Sequence, residues 1–579
     1  MEGALVTSNF SMPDLYPAKA NAAHAARSRR LSYISPAASS AAAPNPSYRR
    51  RKGTSPPPPW AAATATVLTS PPKPVEQQET EEHLVDTSVN NATGTRVATA
   101  RTSRASDAPR QAARSSRPRR RPVTSLQAAF CNALEEAINT FVDPPVLRPS
   151  VDPRHVLSAN FAPVDELPPT PCPVVRGVIP RCLAGGAYIR NGPNPQHLPR
   201  GPHHLFDGDG MLHSMEGVGL ANTSLAVFGG RLYALGESDL PYAVRVDPAT
   251  GEVTTLGRCD FGGRLSMGMT AHPKKDPITG ELFAFRYGPM PPFVTYFRFD
   301  PAGNKGADVP IFSVKQPSFL HDFAVTEHYA IFPEIQIVMN PMGMVVGGGS
   351  PVGADPGMVP RLGVIPKYAA DESEMRWFEV PGFNMMHSVN AWEEAGGDEI
   401  VMVAPNILSI EHTLERMELI HASVELVRIN LRTGNVTRTP LAAANLDFGV
   451  INPSCLGRRN RYGYFGVGDP MPKIGGVAKL DFDRAGHGDC TVARRDFGPG
   501  CFAGEPFFVP DDVEGNGDED DGYVVCYVHD EGTGDNRFVV MDAQSPDLDI
   551  VAEVQLPSRV PYGFHGLFVT QAELRSQHQ

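Results

Sequence analysis

The stretch Tyr523-Val-Val-Cys-Tyr-Val-His-Asp-Glu-Gly-Thr-Gly-Asp-Asn-Arg-Phe-Val-Val-Met541 reads as two strands joined by a tight turn. Both arms are rich in β-branched and aromatic residues, which suit a pleated, half-buried surface. The Gly532-Thr-Gly-Asp segment supplies the positive φ that tight hairpins need. The same grammar recurs outward from it. Arg231-Leu-Tyr-Ala-Leu and Leu282-Phe-Ala-Phe-Arg are further strand candidates, and Asp247-Pro-Ala-Thr-Gly-Glu, Asp276-Pro-Ile-Thr-Gly-Glu and Arg432-Thr-Gly-Asn are further turns. Short antiparallel strands without alternating helices fill some 430 residues after 146. This predicts an all-β domain, either a propeller or a large barrel. No strict repeat chooses between the two.

Residues 1–123 differ in character. They hold 18 Lys/Arg against 8 Asp/Glu, a net of +10, so the remainder carries −22 to reach the overall −12. The first 75 residues hold nine basic and two acidic side chains amid Ala, Ser and Pro. That composition predicts an organelle transit peptide and a disordered basic leader, with too little apolar area to offset ordering entropy. The acidic body disfavours a nucleic-acid partner. Eight cysteines without a Cys-x-x-Cys pair argue against a zinc ribbon or a dense disulfide framework.

Between leader and body, Leu126, Phe130, Leu134, Ile138 and Phe141 recur at helical spacing after Thr124, and Asp143-Pro-Pro ends the run. An amphipathic helix over 124–142 is expected. It packs on its own domain or docks on a membrane surface; it lacks the Lys/Arg face that anionic lipid would favour. No stretch approaches the ~20 apolar residues of a membrane span.

Four of the 17 histidines close short, largely apolar runs: His272 in Ser266-Met-Gly-Met-Thr-Ala-His, His321 in Ser318-Phe-Leu-His-Asp-Phe, His387 in Phe383-Asn-Met-Met-His, and His565 in Pro561-Tyr-Gly-Phe-His-Gly. Lys274 and Lys275 make the His272 run the least clean. One residue from each of several blades, meeting at a propeller axis, would leave this pattern. Imidazole suits iron, zinc and copper alike, so the donor type leaves the metal open. A neutral four-imidazole set needs carboxylates to take its ring N–H bonds, and Glu237, Asp447 and Glu505 are candidates in short loop-flanked runs.

These residues, with Gly186-Ala-Tyr-Ile-Arg-Asn-Gly-Pro-Asn-Pro, Leu205-Phe-Asp-Gly-Asp-Gly-Met-Leu-His and Arg559-Val-Pro-Tyr-Gly-Phe-His-Gly, resemble the carotenoid cleavage dioxygenase family from about Asp143 to Leu574. Phe141-Val-Asp-Pro-Pro, Arg148-Pro-Ser-Val-Asp-Pro-Arg-His-Val-Leu-Ser, Glu411-His-Thr-Leu-Glu-Arg-Met and Cys490-Thr-Val-Ala-Arg-Arg are similar to the plant plastid class-four type. The sister 9-cis-epoxycarotenoid dioxygenases are less similar. The resemblance implies a seven-bladed propeller over 143–579, with a helical cap above an Fe(2+) site. It implies His272, His321, His387 and His565 as ligands, backed by Glu237, Glu505 and, where many relatives carry Glu, Asp447. A shorter acid there must reach further or work through water.

It further implies a carotenoid or apocarotenoid substrate, O2, a plastid location, and peripheral association with a plastid membrane or plastoglobule. Cleavage would fall at the 9,10 and 9′,10′ bonds, giving apocarotenoid products such as β-ionone, without a protein acid or base. The alternatives are 11,12 cleavage of a 9-cis-epoxycarotenoid to xanthoxin, or an impaired carotenoid-binding paralogue. The last arises because His213-Ser-Met-Glu-Gly-Val runs almost directly into Gly219-Leu-Ala-Asn-Thr. Relatives carry a strand and a helical excursion there. Phe383, Met385, Met386, Phe507 and Phe564, close to the ligand runs, are candidates to line an apolar tunnel, with core packing as the competing role.

Overall fold

The computed structural model describes residues 149–195, 198–199, 203–205, 221–339, 352–413, 416–468, 470–511 and 517–577. The leader, the 124–142 helix and the 206–220 junction lie outside the described residues.

The opening stretch forms the hairpin Gly522–Asp530 with Asn536–Asp542, in antiparallel register from Tyr523↔Asp542 to His529↔Asn536. Its turn is held by Asp530, whose Oδ1 accepts the Gly532 and Thr533 amides at 2.8 and 3.1 Å, and Gly534 takes φ 75°. Asp247 and Asp276 grip the two amides of their own turns in the same way. Asp at the turn entrance and Gly at the positive-φ position are therefore one device used repeatedly.

The strands form seven units. Blade 1 is Ser224–Phe228, Arg231–Leu235, Tyr242–Val246 and Val253–Arg258. Blade 2 is Lys274–Lys275, Leu282–Tyr287, Val294–Phe299 and Val309–Ile311. Blade 3 is Ala324–Val325, Tyr329–Glu334, Arg361–Pro366 and Arg376–Glu379. Blade 4 is Asn390–Glu393, Glu399–Ile407, Ala422–Asn430 and Val436–Pro440. One ten-stranded sheet contains blade 5 (Leu446–Val450, Tyr462–Gly468, Ile474–Asp481, Thr491–Asp496) and blade 6 (Phe507–Pro510, Gly522–Asp530, Asn536–Asp542, Ile550–Gln555). Cys501–Ala503 joins these two, and Val174–Gly177 adds an outer strand to blade 6. Blade 7 is the pair Ala187–Arg190 and Gly566–Val569.

Central strands such as Glu399–Ile407 are buried along almost their whole length, because a neighbouring blade covers each face. Seven apolar clusters fill the gaps between successive blades, and the cluster of Ile189 and Val569 with Leu225 and Leu232 joins blade 7 to blade 1. An arrangement whose last gap returns to the first sheet is a propeller, not an open barrel.

Among the described residues no long helix caps the site. Beside the site lie the hairpin Ile337–Met339 with Val352–Ala354 and the single 3₁₀ turns Ile410–His412 and Met417–Leu419. The chain between Ile407 and Ala422 is too short to run out and back as a long helix. The longest described helix is Gln571–Ser576, closed by a Thr570/Glu573 capping box. No described helix is long and apolar enough to cross a membrane.

Candidate metal centre

His272, His321, His387 and His565 each sit just before the terminal strand of a sheet, in blades 2, 3, 4 and 7. The structure brings all four together, one ring nitrogen from each lying within 4.8 Å of the others. Ring centroids are 4.4 Å apart for His272 and His565, 4.5 Å for His272 and His321, and 5.1 Å for His387 and His565. The three remaining blades supply the acids. Glu237 follows the second strand of blade 1, Asp447 lies in the first strand of blade 5, and Glu505 precedes that of blade 6. Every blade thus sends one imidazole or carboxylate to the axis.

Each acid takes the Nδ1 side of a different ring. Asp447 Oδ1 is 2.9 Å from His387 Nδ1 and Glu505 Oε1 is 2.9 Å from His565 Nδ1. Glu237 Oε1 is 2.7 Å from His321 Nδ1, although the ring N–H points off the oxygen and both atoms are otherwise without a hydrogen-bond partner. Distance and angle disagree there. We read the contact as an ion-dipole pair, since a small ring rotation aligns it and neither buried atom has another partner. Among the described residues no acid sits on His272. Burial, then the imidazoles of His565, His321 and His387, hold its pKa well below the usual value. Burial pulls His387 down, but Asp447 outweighs it and its pKa is raised. Glu237 and Asp447 are pushed up by burial and, on balance, lowered by His321 and His387 respectively.

The donor set suits a cation. With Nδ1 protons directed to carboxylates, three rings turn bare Nε2 lone pairs inward. His272 Nε2 and His321 Nε2 are 2.9 Å apart, a contact that a shared proton or cation stabilises and that two bare lone pairs do not. Nitrogens bound at ~2.1 Å from one ion sit roughly 3–4 Å from each other, close to the spacing found.

Several details correct or extend the reading of the sequence. Asp447 needs no water to reach His387. A register irregularity between Asp447 and Val450, with Phe448 at φ 54°, moves the shorter side chain inward. Phe448 also packs its ring 5.2 Å from His387 and 5.9 Å from His565, and Phe319 stacks on His321 at 6.0 Å. Neither aromatic role is legible in the sequence, though Phe448 adjoins Asp447 and Phe319 lies two residues before His321. Lys274, which blurred the His272 run, is spent on buried Asp322 at 2.8 Å. Phe383 and Met385 belong to the core between blades 3 and 4, and Phe507 packs between blades 6 and 7, so these three are packing residues. Met386 joins Phe319, Ile335, Ile337, Ile407 and Ile420 in an apolar cluster beside the site. A cavity of about 230 Å³ shares Val352 and Ile410 with that cluster.

A sequence profile described as "RPE65: Retinal pigment epithelial membrane protein" matches residues 161–217 and 214–570. The Oryza sativa subsp. japonica protein "9-cis-epoxycarotenoid dioxygenase NCED1, chloroplastic" is 76% identical over 523 residues, covering 79% of this chain and 82% of its own. The Arabidopsis thaliana "Probable carotenoid cleavage dioxygenase 4, chloroplastic" is 58% identical over 527 residues, covering 79% and 88%. The crystal structure of Pseudomonas brassicacearum lignostilbene dioxygenase aligns with TM-score 0.62 at 23% identity, over 72% of this chain and 98% of that one, a likeness of fold. An alignment of 523 positions occupying 79% of 579 residues, about 457, leaves about 66 positions of the rice protein facing no residue here. The profile matches as two segments that meet at 214–217. With that profile spanning most of the body and two plant proteins well above half identical, the chain belongs to the RPE65 and carotenoid cleavage dioxygenase family.

Proposed function

We propose that this protein is an iron(II)-dependent dioxygenase that uses O2 to cleave a double bond of a carotenoid or apocarotenoid into two carbonyl products. The observation that carries the reading is the convergence of four imidazoles within 4.8 Å, three of them facing largely buried acids. His272, His321, His387 and His565 would hold the iron. When bound, iron(II) supplies the redox chemistry that lets dioxygen react with a closed-shell double bond.

The chain's own residues do the rest. Glu237, Asp447 and Glu505 fix the tautomer and tilt of three rings and offset the charge of a divalent ion. Phe448, Phe319 and Met386 give the surroundings an apolar face that excludes water and accepts a polyene. Which bond is cut then follows from where the chain of double bonds is held.

The class-four motifs favour cleavage at 9,10 and 9′,10′, the bonds named for a 34% identical Phaseolus vulgaris relative, "Carotenoid 9,10(9',10')-cleavage dioxygenase 1". The name of the 76% identical rice relative favours a second reading, 11,12 cleavage of a 9-cis-epoxycarotenoid. Incubating the iron-loaded protein with β-carotene and with 9-cis-neoxanthin separates them: β-ionone supports the first and xanthoxin the second. Bound iron and carotenoid with no carbonyl product from any substrate would overturn both. A plastid location fits the basic leader and the chloroplastic relatives. Peripheral membrane or plastoglobule association belongs to the same reading, with exposed Leu408 just before one of the turns beside the site and exposed Leu419 within the other.

A further inference from the structure

His272, His321 and His387 hang on three separate segments, each just ahead of the terminal strand of a different sheet, and no ladder hydrogen-bonds these segments to one another. Acids hold the rings of His321 and His387 but not that of His272, and the backbones of all three are left to be placed by something else. One buried carboxylate reaches all three. Asp322 follows His321 directly and is 2% exposed. Its Oδ1 accepts the Phe323 amide at 2.7 Å and lies 2.8 Å from Lys274 Nζ, two residues past His272. Its Oδ2 accepts the Ser388 amide at 2.6 Å, one residue past His387. A second tie runs beside the first: Thr270 Oγ1 accepts the His272 amide at 3.0 Å and donates to the His321 carbonyl at 3.3 Å.

We propose that Asp322 is a positioning residue of the metal centre, which with Lys274 sets the spacing of His272, His321 and His387 so that the cation meets a preformed donor set. The proposal rests on the reading that the four imidazoles bind a metal. Asp322 supplies no donor to the four-imidazole group, and its contacts run to two backbone amides and Lys274, so it acts through backbone placement. A carboxylate is required because three donors converge on it, one of them an ammonium whose side chain is only 12% exposed. An amide of the same shape offers one acceptor oxygen and leaves that ammonium unpaired beside a site meant for a cation.

The test titrates the full, metal-free protein with Co(II), reading affinity and the visible d–d absorption, with thermal unfolding measured in parallel. Wild type takes up one Co(II) with resolved d–d bands, and His387→Ala takes up none. Uptake failing in wild type sinks the metal reading itself, whatever the variants do. Given uptake, Asp322→Asn binds Co(II) ~10–100-fold more weakly with altered band intensities. Asp322→Asn/Lys274→Met removes the unpaired ammonium yet keeps the weakened affinity and altered bands, because spacing and not charge is at stake. Recovery to within twofold of wild type in the double variant overturns the positioning role, as does a wild-type spectrum in Asp322→Asn. Should Asp322→Asn fail to fold, Lys274→Gln decides: altered bands with a retained melting transition support the proposal, and unchanged bands overturn it.

Discussion

His387 opens a four-stranded blade, whereas His565 opens a strand with a single described partner, Ala187–Arg190. The two rings are nevertheless 5.1 Å apart, each with a carboxylate 2.9 Å from Nδ1. The width of the sheet behind a donor is therefore not what aims it. On blade 7 the aim comes from ties at the axis. Glu505 holds His565 with one oxygen and the Gly566 amide, at 2.9 Å, with the other. Asn191 receives the Phe564 amide, donates its own to the His565 carbonyl, and sends its carboxamide to Ala221 and Ser224 of the blade 1 entry. On blade 4, Asp447 and Asp322 share the task, and four strands stand behind them. Outer strands contribute stability, and the axial ties contribute geometry.

Removing a donor should erase the contrast. His387→Ala and His565→Ala are both expected to drop bound iron to background and cleavage by more than the ~100-fold that loss of a ring's hydrogen-bond partner costs. Iron retained in His565→Ala alone, by elemental analysis, would show that blade 7 is dispensable to the site. Next come the acids. Glu505→Gln and Asp447→Asn should each weaken metal binding by ~10–100-fold, with Glu505→Gln the worse because its second oxygen also anchors Gly566. Equal losses in calorimetric titration would break the comparison.

Asn191→Ala strips donors from two buried carbonyls, for about 2–3 kcal/mol. Hydrogen exchange should accelerate at Gly566–Val569, with some iron lost. Asn390→Ala, which frees the carbonyls of Cys455 and Arg458 behind blade 4, should lower the melting temperature similarly yet keep its iron. Like iron losses in both would mean that the axial ties set no more of the geometry than the ties behind a blade. The smallest effect is a control remote from the axis. Gly534→Ala, at φ 75° with nothing near the new methyl, should cost ~1 kcal/mol and leave metal content unchanged.

Much of this is legible in the sequence. The Arg231–Leu235 strand and the 523–541 hairpin follow from β-branched runs and Asp-x-x-Gly turns, since local propensity and turn chemistry act over a few residues. The four histidines and three acids are all legible as candidates, and the structure brings all seven to one place. Less legible was anything that depends on what lies opposite. Phe383 and Phe564 both flank a ligand run, but only the packing shows Phe383 buried between blades 3 and 4. Lys274 looked like a blemish until Asp322 appeared against it, 48 residues away in the chain. Phe448 carried no mark, because a left-handed φ in a non-glycine residue is imposed by its surroundings.

By itself, then, the chain's order of residues determined which segments become strands, where they turn, and which side chains can bind a cation, because those properties belong to a residue and its near neighbours. Tertiary structure alone decided which acid serves which ring, how Asp447 reaches despite its length, and that one carboxylate beside His321 also holds the segments of His272 and His387. Those are relations between segments far apart in the chain, and they exist only once the blades have packed around a common axis.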